Sequence, residues 1–502
     1  MRPSGCPKMQ RTVVIGDDAH LIAQISSILV KKNSYLPILD GPRMQRNDAD
    51  AEVVRRNNAA ARVGPSAIIF AGLDDATCYK FNSHFPAKLC HRISNISDLQ
   101  QAPQDLKMRS RPTLTWGKDR IGIGLLIALR KRQPIDITDR KSPEETAAFR
   151  SDHLVVCEDG HDLEQVIAAN YAYAIGADLL LIPQVSKEDA NRIRETFYSL
   201  DDSENSPILL RDQLCAELRE RAAIPLKKYR LITFISQALP WGFAFSEMPT
   251  SHLFIKPDLG ISIVNGIAAE QSNSPGIRIA AVIDPEKLGA TEVESVAKCL
   301  ARRLVFVRGF RGKMATVSNV GRMIELFPYD FLLIATHCGD AAGMRCTYEF
   351  NDNEGIKREL VIDEATSLSL EPGQDKVKVS QFEKFISIDG VDWEDEEEKE
   401  KLCIGSAINE FFARKNQLEP VKREPVNRVR SSAALQMNDH ILIMAPHAIA
   451  DNGCPVVLNN ACTSWYRLAE SFVFSNVRAY ISTLFKVGNM EAQDVAMNLL
   501  DK

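Results

Sequence analysis

The chain reads as α/β throughout: a mainly parallel sheet flanked by helices in its C-terminal part, preceded by an α/β N-terminal region. Three observations predict this class. Apolar runs of strand length alternate with apolar residues at helical spacing. Several runs end abruptly in small and polar residues, the pattern of a buried strand reaching solvent at its carboxyl end. At 502 residues the chain is too long for one hydrophobic core.

From the N-terminus, residues 12–15 form an expected strand broken by Gly16-Asp17-Asp18, and Leu21, Ile22, Ile25, Ile28 and Leu29 follow on one helical face. Residues 66–70 are a second strand, and the polar stretch 95–110 reads as a linker. Residues 121–127 fit strand or helix, because an uninterrupted apolar run carries no period. Residues 153–157 are a strand, Leu163, Val166, Ile167, Asn170 and Tyr171 a helical face, and residues 179–182 a strand closed by Pro183. A polar stretch at 201–206 precedes a strand at 231–235. Pro240-Trp241-Gly242 is an expected turn, and residues 254–264, interrupted by Pro257 and Gly260, an expected hairpin. The loop signal at 271–276 (Gln-Ser-Asn-Ser-Pro-Gly) marks the main boundary. The expected regions are 1–110, 111–275 and 276–502.

The last region shows the clearest strand–helix alternation. Residues 277–283 are a strand, and Thr291 with Glu294 forms an expected capping box before a helical face of Val293, Val296, Ala297, Leu300, Ala301 and Leu304. Residues 304–307 are the next strand, and Val317, Val320, Gly321, Ile324 and Phe327 line a second helix. A strand at 331–336 runs into His337-Cys338-Gly339-Asp340, and one at 456–461 into Cys462-Thr463-Ser464-Trp465. A helix carrying Leu468, Ala469, Phe472 and Val473 and a strand at 479–485 follow. Between the two polar strand ends, residues 345–362 read as a hairpin turning at Asn351-Asp352-Asn353-Glu354-Gly355. A charged insert at about 365–440 follows, with acids at Glu394–Glu398 and Glu400 and cations at Lys422, Arg423, Arg428 and Arg430. Runs of like charge read first as solvated surface.

The bulk numbers exclude several classes. Net charge is -5 and the sequence pI about 6.1, so no electrostatic footprint for nucleic acid or an anionic membrane is present. No apolar run approaches the roughly 18 residues of a membrane span. The N-terminal residues lack the apolar core of a signal peptide before Asp17 and Asp18. Eleven cysteines, odd in number and without a CxxC pair, read as free thiols in a reducing cytoplasm. No metal or cofactor motif emerges: Gly16-Asp17-Asp18 is not GxGxxG, and no GxxxxGK[ST] occurs. Glu158-Asp159-Gly160-His161-Asp162 holds metal-capable groups but reads more simply as an acidic turn at a helix start. Trp241, Phe243, Phe245 and His252 read as core rather than as a ligand pocket.

A His beyond one strand and a Cys beyond another can work together, since an imidazole can take the thiol proton and return it to a leaving amine. The ordered set Thr336-His337-Cys338-Gly339, the 345–362 hairpin, Val457-Leu458-Asn459-Asn460-Ala461-Cys462 and the strand at 479–485 resembles the caspase-like cysteine peptidases, most closely the CHAT subgroup of bacteria. The resemblance covers about residues 277–500. It implies a caspase-like domain, Cys462 as nucleophile, His337 as general acid and base, and an oxyanion held by the backbone N–H of Cys462 and of Gly339 or Cys338. The family's His-Gly is here His-Cys-Gly, which leaves the second amide open between two residues. His447 is a rival base. Asp340 caps a turn or orients His337. Caspases place His about 50 residues before Cys; here the separation is 462 − 337 = 125, the extra length holding the charged insert.

The resemblance further implies a protein or peptide substrate and a role in proteolytic activation during stress or bacterial defence. Residues 1–275 would be a regulatory or partner-binding region. In relatives the residue two before the Cys helps form the pocket for the side chain preceding the cut. Here it is the neutral Asn460, so a basic preference would need acid from Asp284 or Asp389, with Asp340 also near. The charged insert is expected to cover the site or to be cut by it around residues 422–430. Family members usually continue beyond a strand like 479–485, so a longer C-terminal part is expected. Two other readings stand beside the peptidase: an inactive scaffold of the same fold, and a ligand-binding α/β protein acting through its first half.

Overall fold

The computed structural model of the chain describes residues 6–40, 49–82, 84–101, 112–143, 151–200, 207–237, 239–255, 258–271, 276–370, 373, 376–402, 404–443, 449–450 and 453–501. Much of the expected linker at 95–110, the polar stretch at 201–206 and His447 lie outside them. The chain is mixed α/β and divides into two compact units, Met1–Gly276 with Asn476–Arg478, and Ile277–Ser475 with Ala479–Lys502.

In the first unit, strand β1 (Thr12–Gly16) feeds helix α1 (Ala19–Leu29), whose first turn is closed by Asp18 accepting from the Leu21 N–H at 3.0 Å. β1 lies between β2 (Ile38–Asp40) and β3 (Ala67–Ala71), with β4 (Cys90–Ile93) outside β3. β5 (Leu114–Gly117) and β6 (Ile135–Thr138) form a parallel pair joined by α2 (Ile121–Lys131). Then β7 (His153–Asp159) feeds α3 (Asp162–Ile175) and lies between β8 (Asp178–Pro183) and β9 (Leu231–Ser236), with β10 (Thr250–Phe254) outside β9. The two four-stranded sheets share one order, second–first–third–fourth, and every pairing is parallel. Their central strands also share Val-Val (Val13-Val14 and Val155-Val156) and an acidic turn into the next helix.

The ambiguous run at 121–127 is helix α2. Its glycines allow close approach: a Cβ at Gly124 would fall 2.3 Å from the Trp116 side chain. Two turn expectations fail. Pro240-Trp241-Gly242 opens a short helix, Trp241–Ala244, because the indole N–H turns back to donate to Ser236 Oγ at 2.9 Å. The expected hairpin at 254–264 is the end of β10 followed by helix α4 (Leu259–Gln271). Asp258 Oδ1 accepts from the Ile261 N–H at 3.0 Å, a helix cap, and Gly260 is small because a Cβ there would meet the Ile38 carbonyl at 2.1 Å. Turn punctuation and helix-start punctuation use the same residues.

In the second unit, β11 (Ile279–Asp284), α5 (Thr291–Arg302), β12 (Phe306–Arg311), α6 (Val317–Leu326) and β13 (Phe331–Ile334) follow in turn. They belong to a five-stranded parallel sheet ordered β12-β11-β13-β22-β23, completed by β22 (Val456–Asn459) and β23 (Ala479–Ser482). Val282, Leu333 and Leu458 from the sheet, Val296 and Leu300 from α5, and Ala496 and Leu500 from the final helix (Asn489–Asp501) share one core. The expected capping box is not made. Ala290 takes the cap position, the Thr291 hydroxyl donates to Gln493 Oε1 at 2.7 Å, and Glu294 pairs with Lys298.

Between β13 and β22 the chain folds into two antiparallel sheets. One is β14 (Cys338–Gly339) with β20 (Ala434–Gln436) and β21 (Ile441–Ile443). The other is ordered β18-β17-β16-β15-β19, from β15 (Gly343–Asn351), β16 (Lys357–Leu370), β17 (Val377–Ile388), β18 (Val391–Asp392) and β19 (Lys422–Val426). The charged insert is therefore folded, with Ile388 and Phe411 sharing a core with Cys346, Tyr348, Phe350, Leu360 and Ile362 of the hairpin. Its acidic run is a short helix, Glu396–Lys401, capped by Asp395. Lys422 and Arg423 stand in a ladder opposite Thr347 and Cys346.

Candidate active site

β13 and β22 are central neighbours in register, Phe331 beside Val456 through Ile334 beside Asn459, and all eight residues except Val456 are buried. Chains leave a parallel sheet at the carboxyl end of each strand, where the next residues reach solvent. His337 is the third residue beyond Ile334 and Cys462 the third beyond Asn459, so both occupy the same step past one rung of the ladder. His337 is exposed and Cys462 half-buried.

The backbone before His337 is pinned. Ala335 N–H donates to the Ile283 carbonyl at 3.0 Å, Thr336 Oγ1 to the Gln436 carbonyl at 2.5 Å, and Gln436 N–H to the His337 carbonyl at 2.9 Å. Cys338 and Gly339, each expected from the sequence as an oxyanion donor, then pair with Leu435 and Ala434. The Cys338 thiol is pushed well up by burial, and further by the charges of Asp340 and Cys462.

The Cys462 turn is tied from within. Asn459 Oδ1 accepts from Ala461 N–H at 3.0 Å, and Asn459 Nδ2 donates to the Tyr480 hydroxyl at 2.8 Å. That hydroxyl donates to the Ser464 carbonyl at 3.1 Å, Ser464 Oγ donates to the Asn459 carbonyl at 3.2 Å, and Thr483 Oγ1 donates to the Ala461 carbonyl at 2.6 Å. Thr463 has φ +48, a left-handed conformation that a β-branched residue rarely takes. Such strain concentrates where a side chain is aimed for use. Helix α7 (Arg467–Phe474) follows directly.

The structure relocates the pocket candidates. Asp340 does not turn to His337: its oxygens accept from Arg428 Nε at 2.8 Å and the Ala433 N–H at 3.4 Å. Asp389 belongs to the insert, where it accepts from Arg358 Nη1 at 2.8 Å and the Glu359 N–H at 2.8 Å. Asp284, buried at the carboxyl end of β11, accepts from the Glu286 N–H at 2.9 Å and faces Arg311 Nε at 3.4 Å. Asn460 Nδ2 donates to the Ala492 carbonyl at 3.2 Å. Glu292, which no sequence pattern singled out, is the buried group between these two. Burial raises its carboxyl, and the charge of Asp284 raises it further. Its placement on the first turn of α5, among Val293 and Val296, made it look like ordinary helix surface.

In the first unit, Asp17, Asp18, His20, Asp40, His161, Asp162 and Glu164 are among the residues around a cavity of about 630 Å³. Asp18 caps α1, Asp162 opens α3, and Asp40 binds Arg56 at 2.8 Å. Among the described residues no three His, Cys, Asp or Glu side chains are grouped to hold a metal ion. Glu158 is 2% exposed and accepts from the Gln237 N–H at 3.1 Å; burial pushes its carboxyl up to about 7. Trp241, Phe234 and Phe245 are buried, with Trp241 stacked on Phe234 at 5.1 Å, so these aromatics are core, whereas His252 is exposed on the edge strand β10 with its ring 5.7 Å from Phe234.

No family model and no curated protein matches the chain. Among solved structures it is similar to Cwp6 from Clostridium difficile, at 12% identity and a TM-score of 0.26, the match covering 69% of this chain and 62% of that one. A likeness of that degree carries no argument. Among the described residues no helix is long and apolar enough to cross a membrane.

Proposed function

We propose that this chain is a caspase-like cysteine endopeptidase of the CHAT type, with Cys462 as nucleophile and His337 as general acid and base. The observation that carries the reading is the shared step of the two residues past the Ile334–Asn459 rung of adjacent central strands. The five-stranded parallel sheet with a hairpin insert between these strands supports it. His337 takes the Cys462 thiol proton, and the thiolate attacks a peptide carbonyl carbon. Backbone N–H groups at Cys462 and at Cys338 or Gly339 hold the resulting oxyanion. Collapse expels the amine with the proton from His337, and water then hydrolyses the thioester. The substrate is a partner protein, the first unit is the regulatory part, and the setting is the reducing cytoplasm that keeps Cys462 a thiol.

The test is labelling with an electrophilic thiol probe followed by peptide mapping. Fast modification of Cys462 that collapses in His337→Ala is the expected result. Labelling of Cys462 no faster than that of the other accessible thiols, and indifferent to His337→Ala, would overturn the reading.

A further inference from the structure

A second thiol stands beside the proposed nucleophile and has no part in the hydrolysis. Cys338 directly follows His337 and is held by its ladder to β20. The ladder between β13 and β22 stops at Ile334 and Asn459, so both cysteines leave the sheet at the same end of neighbouring strands. Cys338 and Cys462 stand four and three residues beyond the rung that joins Ile334 to Asn459. The Tyr480 hydroxyl lies inside the Cys462 turn, bonded to Asn459 and Ser464. Cys338 is near enough to perturb that hydroxyl, and Cys462 near enough to perturb Cys338. Both are free cysteines.

We propose that Cys338 is the resolving thiol of a redox lock, closing a disulfide onto Cys462 when hydrogen peroxide oxidises the nucleophile. The inference rests on the peptidase reading, since it needs Cys462 reactive as a thiolate. In the first step the Cys462 thiolate attacks one peroxide oxygen. An S–O bond forms, the O–O bond breaks, and the departing hydroxide takes a proton to become water, leaving a sulfenic acid. In the second step the Cys338 sulfur attacks the Cys462 sulfur. The S–S bond forms, the S–O bond breaks, and the hydroxide leaves as water with the Cys338 proton. Two thiols and one peroxide give one disulfide and two waters. A dithiol returns the two electrons and two protons and reopens the site. The lock also keeps Cys462 from the sulfinic acid, which dithiols do not reverse.

The experiment uses the full chain, freed of reductant, treated with hydrogen peroxide, alkylated and mapped without reduction. The expected product is a peptide pair joined through Cys338 and Cys462, with loss of probe labelling at Cys462 that dithiothreitol restores almost fully. In Cys338→Ser, scored as a fraction of its own untreated labelling, dimedone traps Cys462 as the sulfenic acid and recovery with dithiothreitol falls severalfold. The joined pair is read on the unsubstituted chain, so it does not depend on how the variant folds. His337-dependent labelling of Cys462 without a joined pair, or full recovery in Cys338→Ser, overturns the lock alone. Labelling indifferent to His337 overturns the peptidase reading and the lock with it.

Discussion

Glu158 in the first unit and Cys462 in the second occupy comparable ground, each at or beyond the carboxyl end of a strand in a parallel sheet. Their fates differ. Glu158 is buried and holds the Gln237 N–H, Asp18 caps a helix, and Asp40 is spent on Arg56. In the second unit the turn's own bonds are made by Asn459, Ser464, Tyr480 and Thr483, which leaves Cys462 half-buried and His337 exposed. A strand end therefore marks a candidate site only when neighbouring residues satisfy the backbone and leave a reactive group over.

The sharpest way to break this contrast is at the dyad. His337→Ala is expected to slow Cys462 labelling by about 10²–10⁴-fold, the usual contribution of a positioned acid–base group. Cys462→Ala is expected to abolish it. Either variant should leave the melting temperature nearly unchanged, because neither residue is part of a core. A large loss of stability in His337→Ala would place that residue with the structural strand ends of the first unit.

Glu158 should behave in the opposite manner, with a stability effect and no effect on labelling. Its carboxyl is raised from 4.5 to about 7 in the folded protein, so the folded state holds the proton more tightly than the unfolded chain. Its contribution is present below the unfolded value and is lost as pH rises from about 4.5 to 7. Above that window ionisation costs on the order of 3 kcal/mol. Glu158→Gln should match wild type near pH 4.5 and be more stable at pH 8, the difference growing in between. Denaturant titrations of both chains across this range check the prediction. A difference independent of pH would mean that Glu158 ionises as an ordinary exposed carboxylate.

The same contrast explains what was legible in the sequence. Strands β13 and β22 were readable because Leu332-Leu333-Ile334 and Val457-Leu458 stop sharply at polar residues. The helix at 121–131 was not separable from a strand, since its face has no polar side to set a period; nine of its residues are buried. The helix at 259–271 was hidden behind Pro257 and Gly260, residues that open helices as readily as they close hairpins. The shared strand order of the first unit's two four-stranded sheets is not legible in the sequence, because their central strands have only Val-Val and an acidic turn in common. Glu292 is illegible for a different reason: a carboxylate on the first turn of a helix reads as solvated surface, and only the fold buries it.

Asn459 sharpens the contrast from the structural side. It is fully buried, and its amide bonds both Ala461 and Tyr480. Asn459→Ala orphans those partners at a cost of about 1–3 kcal/mol. It should also slow Cys462 labelling, because the turn loses its internal support. Loss of stability with unchanged labelling would show that Tyr480 and Thr483 hold the turn alone.

Thr463 should give the smallest effect and the most telling one. Its φ of +48 is a conformation that costs an ordinary L-residue about 1–2 kcal/mol and costs glycine nothing. Glycine in turn loses more freedom on folding, which offsets part of the gain. Thr463→Gly should therefore raise stability by about 1 kcal/mol or less. If the strained turn exists to aim Cys462, the same change should lower labelling at 462, so that stability and reactivity move in opposite directions. A variant that gains stability and keeps full reactivity would make the strain incidental, and the Cys462 turn would then be no different in kind from the capped strand ends of the first unit.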